Sequence, residues 1–210
     1  KFDEQLALLN RDLTKMGSLC EEALALAAKA LANADGQTAA KIAPIDSEID
    51  QMERTIESLC LKLLLQQQPV ARDLRQIAAL KMITDMERIG DQASDIAEII
   101  GFLNGRIGTD AQYICQMAVA AMRMVTESVE AYVKRDVAMA EATIQHDDVV
   151  DDLFLKVKDS LIQMISENPK DGEYALDLLM IAKYFERIGD HATNIAEWVV
   201  FSVTGVHEQG

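Results

Sequence analysis

The sequence predicts an all-α protein made of two tandem three-helix bundles, with six long helices in total. Half of its 210 residues are apolar but only 5% are aromatic, a composition that favours helices over sheets. Apolar residues recur in alternating steps of four and three, which is the spacing of one helix face. The segment Glu87–Asp91 returns letter for letter as Glu186–Asp190, which indicates an internal duplication of one structural unit.

The apolar spacing places two helices in the first half of the chain after an initial helix. The second helix carries Ile45, Ile49, Met52, Ile56, Leu59 and Leu63. The third covers about 79–103 and carries Met82, Met86, Ile89, Ala93, Ile96, Ile100 and Leu103. Because both sets follow the same rhythm, each predicts one continuous apolar face along a helix.

The second half repeats this order. Its second helix carries Val150, Leu153, Val157, Leu161 and Met164, and its third carries Ile181, Phe185, Ile188, Ala192, Ile195 and Val199. Turn-type segments precede matched positions in the two halves, and Asp35 and Asp136 are their predicted N-caps. Glycines at 101, 105 and 108 mark the break between the halves. We therefore predict two repeats, 1–104 and 105–210.

Composition also excludes several classes of function. A net charge of −15 argues against a nucleic-acid-binding protein, because phosphate contacts need clustered Lys and Arg. No apolar run is long enough for a transmembrane helix. Cys20, Cys60 and Cys115 lie among apolar helical neighbours and are interpreted as small buried hydrophobes, so no disulfide is expected. A reducing cytoplasm is the simplest setting.

Acidic residues form a stripe on the side of each third helix that faces away from its apolar seam. Residues four apart advance by only about 40° around a helix, so such residues line up along it. The neighbouring second helices add acidic pairs with the same spacing. The candidate metal-ligating residues are Asp46, Asp50, Glu87, Asp91 and Asp95 in the first half, and Asp147, Asp151, Glu186, Asp190 and Asn194 in the second.

Two explanations compete for these stripes. Like charges at this spacing cost only about 0.2–0.5 kcal/mol per pair on an exposed helix, so a purely solvated face is the simple alternative. The recurrence of the pairs on two helices of each half favours a bridging cation instead. Oxygen ligands select hard cations such as Mg²⁺, Mn²⁺, Ca²⁺ or iron, and Zn²⁺ is kept as a further candidate. The Glu-x-x-His pairs of ferritin-like di-iron proteins are absent.

Two other residue types beside the stripes call for explanation. Gly90 and Gly189 lie inside strong helical patterns, where each costs about 1 kcal/mol relative to Ala. Close helix packing is the favoured reason, and room for a ligand is the alternative. His191 follows Asp190 but points about 100° further round the helix, so it is not counted among the ligands.

These residues together resemble the PhoU family of bacterial phosphate-signalling accessory proteins. The resemblance rests on the duplicated Glu-Arg-Ile-Gly-Asp segment, on the paired aspartates of the second helices, and on the segment from Gln67 to Arg75. It spans essentially the whole chain. It implies two bundles related by pseudo-symmetry, acidic motifs that can hold metal ions or multinuclear clusters, and a cytoplasmic negative regulator of the phosphate-starvation response.

The resemblance also implies partners. The family is thought to link the ATPase subunit of a phosphate ABC transporter to a membrane sensor histidine kinase, and a homodimer is expected. Contact with the membrane would be through these partners only. The charged residues Arg72, Asp73 and Arg75 open the third helix of the first half. They are interpreted either as a partner-binding patch or simply as a helix entry.

The family's acidic motif falls on the four pairs Asp46/Asp50, Glu87/Asp91, Asp147/Asp151 and Glu186/Asp190. Asp95 extends the first set, whereas its counterpart Asn194 offers a carbonyl oxygen without charge. The second site is therefore expected to hold metal less tightly or to hold fewer ions.

The sequence favours a non-enzymatic regulator, because no nucleophile–base pair accompanies the carboxylates. Two alternatives stay open. One is a carboxylate-bridged metalloenzyme such as a phosphohydrolase, for which two-metal chemistry would suit clustered carboxylates. The other is a metal-free helical adaptor whose stripes only face solvent.

Overall fold

The computed structural model describes residues 1–66, 74–106 and 111–207, and it contains helices and no strand in those ranges. The six predicted long helices are present, and two short helices that were not predicted join them. In chain order the helices are α1 (Phe2–Asn33), α2 (Gly36–Ala40), α3 (Ile42–Gln66), α4 (Arg75–Phe102), α5 (Gln112–Lys134), α6 (Val137–Gln145), α7 (Asp147–Glu167) and α8 (Gly172–Thr204), with a 3₁₀ turn at Pro169–Asp171 before α8.

The internal duplication is visible in the order of the helices, since each repeat has a long, a short and then two long helices. The short helices begin at the predicted N-caps. Asp35 accepts a hydrogen bond from the backbone N–H of Gln37, and Asp136 accepts one from Met139, both at 3.0 Å. The residues that end α1 and α5 both adopt left-handed backbone, so the two turns share one conformation.

The apolar seams form the core. Every seam residue predicted for the third helix of each repeat is buried, and Ile89, Phe185 and Ile188 are completely so. Helices α1, α3 and α4 pack together, as do α5, α7 and α8, while α4 packs on α8 and α1 on α5. Since one apolar cluster runs through both repeats, burial marks no border between them, and the boundary at 104/105 stays a prediction.

This packing determines where the acidic stripes lie. Helix α3 lies against α4 and α7 lies against α8, so the carboxylates of each pair of helices meet along the groove between them. The cysteines behave as expected: Cys20 and Cys60 are buried, Cys115 is partly buried, and all three are free thiols. No helix within the described ranges is apolar enough over a sufficient length to cross a bilayer.

Loss of the Asp136 cap should lower stability without changing the fold. We expect Asp136→Ala to reduce the free energy of unfolding by about 1 kcal/mol, because an N–H at the start of α6 loses its acceptor. Asp136→Asn is the matched control, since Asn can still accept this hydrogen bond and should lose much less. Urea unfolding followed by circular dichroism measures both, and equal losses in the two variants would contradict the capping role.

Candidate metal centres

The first cluster of carboxylates lies in the groove between α3 and α4. One oxygen from each of Asp46, Asp50 and Asp91 lies within 4.8 Å of the other two. The spacing of four residues puts Asp46 and Asp50 on one face of α3, and the packing of α3 on α4 brings Asp91 opposite them. Residues that are 41 or more positions apart in the chain therefore converge on one point, as the sequence predicted for these three.

Several oxygens of this cluster lack a donor. Oδ1 of Asp46 and Oδ1 of Asp50 are inaccessible to solvent and have no hydrogen-bond partner. The other oxygen of Asp46 accepts a hydrogen bond from Ser94 Oγ at 3.1 Å. A buried carboxylate oxygen without a donor is unfavourable, because it has lost its water without replacement. A proton or a cation at this point would supply the missing partner.

Gly90 explains how α3 and α4 come so close together. A Cβ atom at this position would lie 2.8 Å from Oδ1 of Asp46 and 3.0 Å from Cδ1 of Ile49. Both separations are shorter than normal contacts, so the backbone of α4 leaves room that only glycine leaves. In the second repeat a Cβ on Gly189 would lie 3.1 Å from Oδ1 of Asp147. Close helix packing thus explains both glycines. The atom that each glycine accommodates is a carboxylate oxygen of the adjacent acidic cluster.

The electrostatics of the first cluster are those of crowded negative charges. Burial raises the pKa of Asp46 to about 6, against the opposing hydrogen bond from Ser94. Burial, followed by the adjacent Asp91 carboxylate and then the charge of Glu53, raises the pKa of Glu87 to about 8. Burial and the charge of Asp91 also raise the pKa of Asp95. Glu87 and Asp95 therefore flank the three-carboxylate centre, one turn of α4 to either side of Asp91.

The second cluster repeats the first between α7 and α8. One oxygen from each of Asp147, Asp151 and Asp190 lies within 4.8 Å of the others, and Oδ1 of Asp147 is buried without a partner. Burial, and then the charges of Asp151 and Asp190, raise the pKa of Asp147 to about 7. Glu186 lies one turn before Asp190 and forms an ion pair with Lys183. The ammonium group of Lys183 thus lies beside the second cluster.

The other predicted residue of the second site, Asn194, faces the neighbouring repeat. Its Nδ2 donates to Oδ1 of the buried Asp85 on α4 at 3.4 Å. His191 contacts the same oxygen through Nδ1 at 2.9 Å, while its Nε2 lies 3.2 Å from Nε2 of Gln92 and accepts a hydrogen bond from it. The imidazole of His191 therefore belongs to the α4–α8 contact.

The donor set fits a hard cation. Oxygen ligands of Ca²⁺ or Mg²⁺ lie about 2.0–2.6 Å from the metal, so oxygens within roughly 4–5 Å of each other can share one ion. Both three-carboxylate groups meet that condition, and each offers at least one buried oxygen that lacks a partner. Asp46, Asp50 and Asp91 would hold a cation in the first repeat, and Asp147, Asp151 and Asp190 in the second.

The sequence missed several residues around these centres. Glu53, three residues after Asp50, adds a carboxylate to the first cluster, and Ser94, three residues after Asp91, donates to Asp46. The i, i+3 spacing was a signal for both, as it was for Lys183 before Glu186. Among the predicted partner-binding residues, Arg72 and Asp73 lie outside the described residues. Arg75 begins α4, and its backbone carbonyl accepts a hydrogen bond from Tyr132 at 2.9 Å.

Comparison with known proteins gives consistent results. The family model of the PhoU domain matches the chain twice, at residues 13–100 and 114–199. A phosphate-specific transport system accessory protein PhoU homolog of Clostridium acetobutylicum is 36% identical over 207 residues, covering 97% of this chain and 94% of that protein. The homolog of Pseudomonas aeruginosa is 34% identical over 208 residues, covering 98% of this chain and 86% of that protein.

Solved structures agree with these relatives. The crystal structure of PhoU from Pseudomonas aeruginosa superposes with a TM-score of 0.91 at 33% identity, covering 98% of this chain and all of that one. The phosphate transport system regulatory protein PhoU from Streptococcus pneumoniae superposes with a TM-score of 0.89 at 26% identity over the full length of both chains. These names are those of accessory and regulatory proteins, and none of them is the name of an enzyme.

The raised carboxyl pKa values predict that the metal-free protein loses stability as the pH rises from about 5 to about 8. Folded Asp46, Asp147 and Glu87 keep protons that the unfolded chain releases near pH 4. The unfolded state therefore binds fewer protons in this window, and the free energy of unfolding falls as the pH increases. Urea unfolding in the presence of a chelator measures this slope. The double variant Asp46→Asn, Asp147→Asn should flatten it, and stability that rises across the window would contradict the geometry.

The close approach at Gly90 predicts a second result. We expect Gly90→Ala to be less favourable for the free energy of unfolding than Gly101→Ala by about 1 kcal/mol, because the added methyl group displaces Oδ1 of Asp46 and Cδ1 of Ile49. Gly101→Ala in the same helix is the matched control, since its Cβ would meet nothing within 4 Å and alanine favours a helix by up to about 1 kcal/mol. Thermal unfolding compares the two. Equal effects would mean that the packing at Gly90 is not tight.

Proposed function

This chain belongs to the PhoU family, and we propose that it is a non-enzymatic negative regulator of the bacterial phosphate-starvation response. In this proposal it couples a phosphate ABC transporter to a sensor histidine kinase through protein contacts. Support comes from its relatives, which are named as accessory and regulatory proteins of phosphate transport. The chain acts in the cytoplasm in this proposal, and it reaches the membrane only through its partners.

The two carboxylate clusters support a regulator whose function depends on bound metal. Each cluster brings three carboxylate oxygens together and leaves at least one of them buried without a donor. Iron, Mn²⁺ and Mg²⁺ suit this donor set best, because all of its ligands are oxygens. When bound, such an ion supplies positive charge that offsets the repulsion between the two helices of a groove. The packing of α3 on α4 and of α7 on α8 keeps each set of carboxylates together in its groove.

A regulator of this kind works by differential affinity. A binding protein shifts its partner's equilibrium only when it binds one state of that partner more tightly than the other. The helical faces outside the core provide the surface for such contacts. One groove of about 610 Å³ lies between α5 and α7, and exposed apolar side chains such as Val119 and Val149 line it. The transporter ATPase subunit, the kinase and a second copy of this chain are the proposed partners.

The two alternatives predict different behaviour of the same clusters. A carboxylate-bridged phosphohydrolase would turn over phosphoesters when loaded with metal. A metal-free helical adaptor would keep its partner contacts after every cluster carboxylate has been neutralised. The relatives' names favour the regulator over the enzyme, and the buried unpartnered oxygens favour a metal-binding regulator over the adaptor.

Removal of one cluster tests the proposal directly. In Asp46→Asn, Asp91→Asn we expect the content of Mn²⁺ bound at equilibrium to fall by about half, with helicity retained, because two of the three ligands of one cluster lose their charge. Asp159→Asn, which changes an exposed acid of α7 outside the clusters, is the control and should bind as the unmodified chain does. Elemental analysis after dialysis gives the metal content.

The same variants then enter pull-down assays with the purified transporter ATPase and the kinase, at high and at low phosphate. We expect binding that depends on phosphate and that weakens when a cluster is removed. No interaction with either partner under any condition would overturn the regulator. Partner binding that is indifferent to both clusters would favour the adaptor, and phosphoester turnover would favour the enzyme.

A further inference from the structure

The two carboxylate clusters differ in charge at a pair of matched positions beside them. The second cluster has Lys183 on α8 and Phe154 on α7. The duplication places Thr84 at the position of Lys183 in the first repeat, and Glu53 at the position of Phe154. One repeat therefore carries a cation and an aromatic ring where the other carries a hydroxyl group and a carboxylate.

Lys183 is held between the two helices of its groove. Its ammonium group forms an ion pair with Oε1 of Glu186, and it lies 5.1 Å from the centre of the Phe154 ring. It also acts on Asp190: burial and then Glu186 raise the pKa of Asp190, whereas a hydrogen bond with Asp147 and, after it, the charge of Lys183 lower that pKa. The side chain of Lys183 is 43% exposed, and its contacts with the carboxylate of Glu186 and with the Phe154 ring keep the ammonium group beside the cluster.

At the position of Lys183 the first repeat carries Thr84, so α4 offers no ammonium group at this place. The hydroxyl group of Thr84 donates to the backbone carbonyl of Leu80 in its own helix. Glu53 lies close enough to Asp50, Glu57 and Asp91 for their charges, after burial, to raise its pKa. Arg54 opposes these charges only weakly, and its Nε donates to the backbone carbonyl of Asp50.

We propose that Lys183 supplies, at the second cluster, part of the positive charge that a bound cation supplies at the first. The first cluster then binds a divalent cation more tightly, and Lys183 is the residue that sets the difference. This inference rests on the proposed metal binding of both clusters. It is separate from the exchange of Asp95 for Asn194, because the amide nitrogen of Asn194 faces Asp85.

Other charges around the second cluster favour cation binding there, and they therefore oppose the effect of Lys183. Asp148 and Asp152 on α7 are exposed acids whose first-repeat counterparts are Ser47 and Gln51. Both raise the pKa of Asp151, after burial and after the charges of Asp190 and Glu186. Solvent and salt screen Asp148 and Asp152, and they also screen Lys183 in part, since its side chain is 43% exposed. Lys183 is positioned by its ion pair with Glu186 and by the Phe154 ring.

A reciprocal exchange tests the role of Lys183. Two backgrounds isolate the clusters: Asp46→Asn, Asp91→Asn leaves only the second, and Asp147→Asn, Asp190→Asn leaves only the first. Lys183→Thr goes into the former and Thr84→Lys into the latter. Dissociation constants for Mn²⁺ are measured from the electron paramagnetic resonance of the free ion, and circular dichroism verifies folding of each variant.

We expect Lys183→Thr to tighten Mn²⁺ binding at the second cluster by roughly threefold to tenfold, and Thr84→Lys to weaken it at the first by a similar factor. Lys183→Met keeps an unbranched apolar stem over the ring, so it should act like Lys183→Thr if charge is the cause. Lys183→Arg keeps the charge and should bind as the parent does. Lys158→Met, which removes an exposed charge elsewhere on α7, is the control for net charge.

The outcomes separate this inference from the function on which it rests. Mn²⁺ binding in both backgrounds that neither exchange changes would overturn the role of Lys183 and leave metal binding standing. An equal effect of Lys158→Met would also overturn it, because net charge alone would then explain the shift. Failure of the unmodified chain to bind Mn²⁺ would overturn the proposed metal binding and the inference together.

Discussion

The approach of each acidic helix to its neighbour is the constraint on which the rest of the site depends. Gly90 and Gly189 have no side chain, so Oδ1 of Asp46 and Oδ1 of Asp147 lie close to the helix backbone and are buried without a hydrogen-bond partner. Like charges are thereby crowded, and burial together with the neighbouring carboxylates raises the pKa of Asp46 and of Asp147. The groove is stable when protons or a cation offset that charge, and less stable when neither does.

The apolar core offsets the unfavourable energy of the crowded carboxylates. Burial of one large apolar side chain contributes about 1.5–3 kcal/mol, and the seams of α4 and α8 each contain several such residues at zero exposure. An exposed pair of like charges on a helix costs only a few tenths of a kcal/mol, and partial burial increases that cost. Crowded carboxylates can therefore be kept on the flank of the bundle without unfolding it. Their energy affects the spacing of two helices rather than the fold.

The fold and the positions of the cluster carboxylates could be predicted from the sequence because they depend on periodicity. A heptad seam assigns one side of α4 to the core, and residues such as Asp91 on the opposite side are then placed without any further knowledge. The short helices α2 and α6 were missed, since five to nine residues carry too few apolar repeats to reveal a period. Capping aspartates, by contrast, act locally and were recognised at both turns.

Contacts between the repeats could not be predicted in the same way. Sequence spacing indicates which face of α8 carries His191, but not that Asp85 of α4 lies opposite it. The same limit applies to Lys183, whose distance to Phe154 depends on how α7 packs on α8. Such pairs are set by the crossing of helices that are distant in the chain. Local propensity contains no information about that crossing.

The contact between α4 and α8 also shows why the duplicated halves need not act alike. Gln92 and His191 occupy matched positions of the two repeats and form a hydrogen bond with each other across the α4–α8 contact. The same position therefore carries an amide in one repeat and an imidazole in the other. An imidazole that donates to buried Asp85 and accepts from Gln92 has all of its hydrogen bonds within this contact. Since His191 follows Asp190 directly, the helix that carries Asp190 of the second cluster contacts the helix that carries Asp91 of the first. Each cluster therefore has one of its two helices in the α4–α8 contact, and the two clusters lie on either side of that contact.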